Sequence, residues 1–147
     1  MKRNFSSPGI ILRVRPGKDK NRYISIITPG MGIIGATAYG ASGQKSSLRA
    51  STQTFHTGEI FFYKDPVKNY TKVVDIDVIR EFTTLRNDPG KIYAASLLTE
   101  VMLKAYWGND QDPRAYRLMF EYLEALDTLA GGKKFFWHRL HYGAIWK

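Results

Sequence analysis

Apolar and polar residues alternate with a period of two through the first half of the chain. In GIILRVR, Gly9 to Arg15, the residues Ile10, Leu12 and Val14 fall on one side and Arg13 and Arg15 on the other, the pattern of a half-buried strand. Arg22 to Thr28 puts Ile24 and Ile26 on one side and Tyr23, Ser25 and Ile27 on the other, and Ile33 to Tyr39 continues as a strand. Between them Thr28 to Gly32 reverses the chain: Pro29 can set φ at the second turn position, and Gly30 can take the positive φ that a type II turn requires at the third. Thr54 to Tyr63 and Tyr70 to Ile76 bring the count to five strands, separated by turn clusters at Pro16 to Asn21 and around Pro66. Gly35 and Gly58 lie inside strands, where a glycine marks a bulge or a barrel corner. Five short antiparallel strands with such kinks predict a small barrel of the oligonucleotide-binding (OB) type, although a sandwich or an SH3-like barrel has the same ingredients.

After Asp77 the period changes. Asp88-Pro89 is a helix N-cap followed by proline at the first helical position, and the pattern runs to Trp107 with Gly108 as a stop. Asp112-Pro113 repeats that signal, placing Tyr116, Met119, Phe120, Leu123 and Leu126 at three- and four-residue spacing until Gly131-Gly132. A third helix is predicted from Lys133, carrying Phe136, Trp137 and Leu140 and leaving aromatic surface for a further partner or more chain. The expected fold class is therefore α+β, with a five-stranded OB-fold β-barrel over residues 1–79 and a small helical bundle over residues 80–147.

Charge adds a direction to this picture. Of 147 residues, 22 are Lys or Arg and 13 Asp or Glu, a net charge of +9. Residues 1–72 hold 12 of those cations against 3 carboxylates, so the whole excess sits in the β-rich part. A one-sided cationic field favours a polyanionic partner, because neutralised phosphates release their counterions, and nucleic acid is the commonest such partner. A membrane is the rival, but no apolar run approaches the ~20 residues of a spanning helix, and MKRNFSSPG lacks the apolar core of a signal peptide. A cytoplasmic, nucleoid-associated protein is expected. With no cysteine, neither disulfides nor thiolate metal sites can staple the chain.

The cations interleave with aromatic residues. Arg13, Arg15, Lys18, Lys20 and Arg22 precede Tyr23, Tyr39 precedes Lys45 and Arg49, and Tyr63 precedes Lys64 and Lys68. These nine cations are the candidate DNA contacts, since single-strand binders pair a cationic groove with rings on which bases stack, at about 1–3 kcal/mol per base. The same rings also suit a barrel core, and alternation alone does not say which sheet face lies inside. The segment Gly40 to Ser51 has no periodicity and reads as an exposed loop able to wrap phosphates, or as a solvated linker.

Catalytic chemistry finds few parts. His56 has only Glu59 as a flanking carboxylate and reads as a structural or surface histidine; His138 and His141 lie three apart without a third ligand. GASGQKSS resembles a phosphate-binding P-loop, but Gln44 stands where the motif needs glycine before its lysine. Asp75 and Asp77 suit a divalent cation no better than a solvated strand exit. No catalytic residue, metal site or cofactor is expected.

Taken in order, Gly9 to Arg13, Arg22 to Thr28, Gly32, Ala36 to Ala41, Ser47-Leu48-Arg49, Gln53-Thr54-Phe55, Glu59 to Tyr63, Phe82 with Leu85-Arg86, Tyr93 to Ser96 and Phe136 to Gly143 resemble the bacterial DNA-repair family RecO over nearly the whole chain. The resemblance implies a non-catalytic OB domain on a helical domain, binding single- and double-stranded DNA and annealing complementary strands. It further implies action with RecR to help RecA replace single-stranded-DNA-binding protein (SSB), whose acidic tail docks on the helical part. Arg13, Arg15, Arg22, Lys45 and Arg49 are the chief residues to which DNA contact carries over. The family usually runs on beyond this length, often with a cysteine zinc module, and this chain ends at Lys147 without one.

Overall fold

The computed structural model describes residues 3–105 and 112–129. Five strands, β1 (Asn4–Pro16), β2 (Arg22–Thr28), β3 (Gly32–Ala38), β4 (Thr57–Asp65) and β5 (Tyr70–Arg80), close into a barrel in the order β1-β2-β3-β5-β4. Neighbours are antiparallel except β3 and β5, which meet in parallel at Thr37 and Lys72. That order and parallel closure make it an OB barrel. Four helices accompany it in the described residues: α1 (Ser47–Ser51), α2 (Thr83–Arg86), α3 (Pro89–Ala105) and α4 (Pro113–Thr128).

The helix starts behave as their sequences dictate. Asp88 Oδ1 accepts the N–H groups of Gly90 and Lys91 at 3.0 and 3.3 Å, and Asp112 Oδ1 accepts that of Arg114 at 3.0 Å. The segment without periodicity holds a short helix instead of loop throughout: Ser46 caps α1, which lowers Leu48 into the barrel. The predicted stop at Trp107-Gly108, the Gly131-Gly132 terminator and the helix from Lys133 with Phe136, Trp137, Leu140, His138 and His141 lie outside the described residues.

Two elements differ from expectation for local reasons. In the turn after β2 the positive φ falls on Gly32, at 69°, and not on Gly30. Thr28 organises that turn: its Oγ1 accepts the Met31 N–H and donates to the Gly32 carbonyl, both at 2.9 Å. In β1, Ile10, Leu12 and Val14 do not share a face. Ile11 pairs with Ile26 but Arg13 with Ser25, so one residue is inserted around Leu12 and the parity of the strand reverses there.

The consequence is two cores that share strands. Ile11, Ile24, Ile26, Ile60 and Phe62 fill the barrel, with Val14 packed against them. Ile10, Leu12, Ile27 and Ile33 point outwards and are roofed by Leu85, Met102, Met119 and Leu123 of the helices. Both faces of the strands are therefore buried where the helices cover them, which is why β1 and β2 each carry adjacent buried isoleucines.

Phe55 and Phe82 stand at the edges of this roof with φ of 73° and 55°. A left-handed backbone costs a non-glycine residue about 1–2 kcal/mol, offset by burying a phenylalanine ring, which contributes about 1.5–3 kcal/mol. Phe82 meets Phe120 edge-on at 6.1 Å, and the Arg80 guanidinium lies 4.9 Å from its centroid. Arg80 also pairs with Glu124 and lies 3.8 Å from Asp127, whose other oxygen accepts the Leu85 N–H. Buried Lys91 donates to the Leu129 carbonyl at 2.5 Å, so a cation closes the C-terminal end of α4.

Gly58 sits at the β4 bulge, where a Cβ would lie 2.0 Å from the Asp77 carbonyl oxygen, whereas around Gly30 nothing lies within 4 Å. Gly58→Ala should lose about 1–3 kcal/mol or more in urea denaturation, and Gly30→Ala less than about 0.5 kcal/mol. Equal effects of the two substitutions would show that the close approach is not real.

Candidate nucleic-acid interface

The bulge around Leu12 aims two cations. With parity reversed, Val14 turns inwards while Arg13 and Arg15 stand on the outer face beside Ser25 and Tyr23. The pairing then carries a row across the sheet: Arg15 opposite Tyr23, Tyr23 opposite Thr37, and Thr37 opposite Lys72. Beyond it, the Lys72 ammonium lies 5.3 Å from the Tyr63 ring centroid, a cation–π contact.

This face is the floor of a groove of about 760 Å³. Arg13, Arg15, Tyr23 and Ser25 form one side, Asn69, Tyr70 and Thr71 another, and Glu100, Leu103 and Lys104 of α3 close it from the helical side. Tyr23 is 44% exposed, with Gly17 packed against its ring. Arg13 Nη2 lies 3.1 Å from Glu100 Oε2. Tyr70 meets Tyr39 edge-on at 6.4 Å.

A second hollow, of about 710 Å³, opens beside the segment between β3 and α1. Lys20, Lys45 and Arg49 line it with Gly40, Ser42, Gly43, Gln44 and Ser46, so cations, hydroxyls and backbone surround it and no carboxylate does. Arg22 holds that segment in place. Its guanidinium donates to the Arg49 carbonyl at 2.9 Å, the Thr52 carbonyl at 3.0 Å, Thr52 Oγ1 at 2.8 Å and Ser42 Oγ at 3.3 Å.

The nine cations singled out from sequence thus separate. Arg13 and Arg15 share the groove; Lys20, Lys45 and Arg49 share the second hollow; Arg22 is committed to the loop. Lys18 in the β1–β2 turn and Lys64 and Lys68 at the β4–β5 end line neither. Sequence reading missed Lys104, Glu100 and Lys72. Lys72 follows Tyr70 in the same alternation and was there to be found; the α3 pair required knowing where the helix lies against the barrel. Asp75 and Asp77 are exposed on β5, and among the described residues no His, Asp and Glu group of three or more could hold a metal ion. No helix among the described residues is long and apolar enough to cross a membrane.

The sequence profile described as "Recombination protein O N terminal" matches residues 1–82, the barrel through Phe82. The chain belongs to the RecO family. Relatives agree over a longer stretch: "DNA repair protein RecO" of Nostoc punctiforme is 27% identical over 130 residues, 88% of this chain and 43% of the relative. The proteins of the same name from Clostridium novyi and Listeria welshimeri are each 28% identical, covering 77% and 81% of this chain and 43% and 46% of their own length. This chain spans somewhat less than half the length of these curated relatives.

In this RecO-family chain one histidine braces the barrel against α2. His56, read from sequence as lying within a strand, immediately precedes β4 and is buried. Its Nε2 lies 2.7 Å from Arg86 Nη1, which can only donate, so the ring is held with Nδ1–H donating to the Ser51 carbonyl at 2.9 Å. Burial lowers its pKa from the ordinary 6.5; the Ser51 carbonyl opposes this, the Arg86 charge adds to it, and Glu81 opposes it. The folded state thus prefers neutral His56, and the stability it contributes is complete above 6.5 and is lost as pH falls through the lower, folded pKa. Urea midpoints should fall as pH is lowered from about 7.5 to about 5, and His56→Gln should make that fall shallower. An unchanged slope in the variant would remove His56 as its source.

Proposed function

We propose that this chain is the nucleic-acid-binding part of a DNA repair protein, a non-catalytic one, whose barrel groove takes a single strand and whose second hollow takes phosphates of the same or a second strand. The observation that carries this reading is the groove itself, where Arg13 and Arg15 stand beside a half-exposed Tyr23 ring among both polar and apolar lining residues. Cations hold the phosphates and the ring offers a stacking face, a combination that binds single strands with little regard to sequence. The shared name of the relatives, DNA repair protein, supports the same biological setting.

The mechanism follows from charge. Phosphates on two hollows of one barrel are screened from each other, so complementary strands held there can approach and pair, and annealing needs no bond-making chemistry. We extend the proposal to action with RecR in helping RecA replace SSB. A second reading, an adaptor that grips a partner such as RecR or the SSB tail, is favoured by α3, where Leu97 and Val101, four residues apart on one side of the helix, are exposed.

Fluorescence anisotropy of labelled oligo(dT) across a salt series tests the first reading. With Arg13, Arg15, Lys20, Lys45 and Arg49 each neutralising one phosphate, the slope of log K against log salt should be about −3 to −4. Arg15→Ala and Lys45→Ala should each weaken binding to all sequences alike and reduce the slope by about 0.7, while Lys68→Ala leaves both nearly unchanged. Absence of binding at low salt would overturn the groove reading and leave the adaptor.

A further inference from the structure

Among the residues lining the groove there is one carboxylate, Glu100, and it is bonded to the arginine that the bulge has just aimed there. A groove built to take phosphates gains nothing from a fixed negative charge in its wall, so its placement needs a reason. Phosphate and carboxylate engage a guanidinium in the same way, through charge-assisted N–H···O bonds at the same distances. Glu100 Oε2, 3.1 Å from Arg13 Nη2, therefore occupies the position that a backbone phosphate would take.

We propose that Glu100 is a resident surrogate for phosphate: helix α3 keeps Arg13 paired in the empty groove, and an entering strand must displace that carboxylate to bind. This rests on the single-strand reading of the groove and names how that site is regulated. The contact is built to exchange. The two side chains are 30% and 57% exposed, and a pair so placed is screened and weak. Arg22, in contrast, is tied by four hydrogen bonds and offers no such vacancy.

The displaced carboxylate also has somewhere to go. Lys104 lies four residues further along α3 in the same groove wall, the spacing and order at which a glutamate and a lysine pair on a helix surface. Arg13–Glu100 is the ion pair that joins the barrel to α3 among the described residues, so displacement would transmit strand binding from β1 to the helix. Glu100 acts through Arg13 and is a positioning residue.

The test is a double-mutant cycle read by anisotropy of labelled oligo(dT) on the full chain. Glu100→Gln should tighten binding by about two- to fivefold at low salt and leave the salt slope nearly unchanged, since Arg13 engages the same phosphate with or without the carboxylate. Arg13→Ala should weaken binding, and Glu100→Gln added to Arg13→Ala should give no further gain. Glu100 would be a distant charge and not a surrogate if the gain persisted in the Arg13→Ala background. Unchanged affinity of Glu100→Gln, with the wild-type chain binding normally, would sink the inference alone. Failure of both wild type and Glu100→Gln to bind would instead bring down the groove reading, and the surrogate with it.

Discussion

One inserted residue in β1 decides what each side of the barrel can do. Before the bulge, Ile11 fills the interior and Ile10 faces the helices; after it, Val14 fills the interior and Arg13 and Arg15 face solvent. Without the insertion, Arg13 would share the parity of Ile11 and meet the apolar interior, where an unpaired guanidinium is costly. The bulge thus reconciles a strand that must be apolar on both faces at one end with a strand that must carry charge at the other. A bulge also sharpens local twist, and the cationic stretch lies just past it.

The helices complete this arrangement from outside. They cover the half of the β1–β2–β3 face that is apolar and stop where it becomes polar, so their edge becomes a wall of the groove. Leu103 belongs to the roof core and also lines the groove, and Glu100 and Lys104 flank it on the same helix. The roof core and the groove wall are therefore set by the same helix, one turn apart. His56 and Arg80 tie the two layers together at other points, His56 to Arg86 of α2 and Arg80 to Glu124 of α4.

Much of this was legible beforehand, for identifiable reasons. Ile24 and Ile26 against Tyr23, Ser25 and Ile27 is a clean period of two, and the structure keeps it; Asp88-Pro89 and Asp112-Pro113 are strong local helix starts, and both hold. What was not legible is non-local. The bulge at Leu12 leaves no mark in the composition, because leucine is apolar on either face, and only the pairing with β2 reveals it. Ser47 to Ser51 lacks an amphipathic pattern because α1 is one turn and buries a single leucine. Arg22 looked like the other cations, and only the positions of the Arg49 and Thr52 carbonyls distinguish it.

The sharing of β-strands between two cores has a consequence for how such a chain can be inherited. The family profile ends at residue 82, yet Ile10, Leu12, Ile27 and Ile33 belong to a cluster whose other members reach Leu123. A barrel passed on without its helices would display those four side chains to water as a ready site for association. Recombination that joined this barrel to unrelated partners would have to bring a roof of matching shape at the same stroke. The stretch that a profile recognises and the stretch that folds as one body have different ends, and variation in the first is constrained by residues that lie wholly in the second.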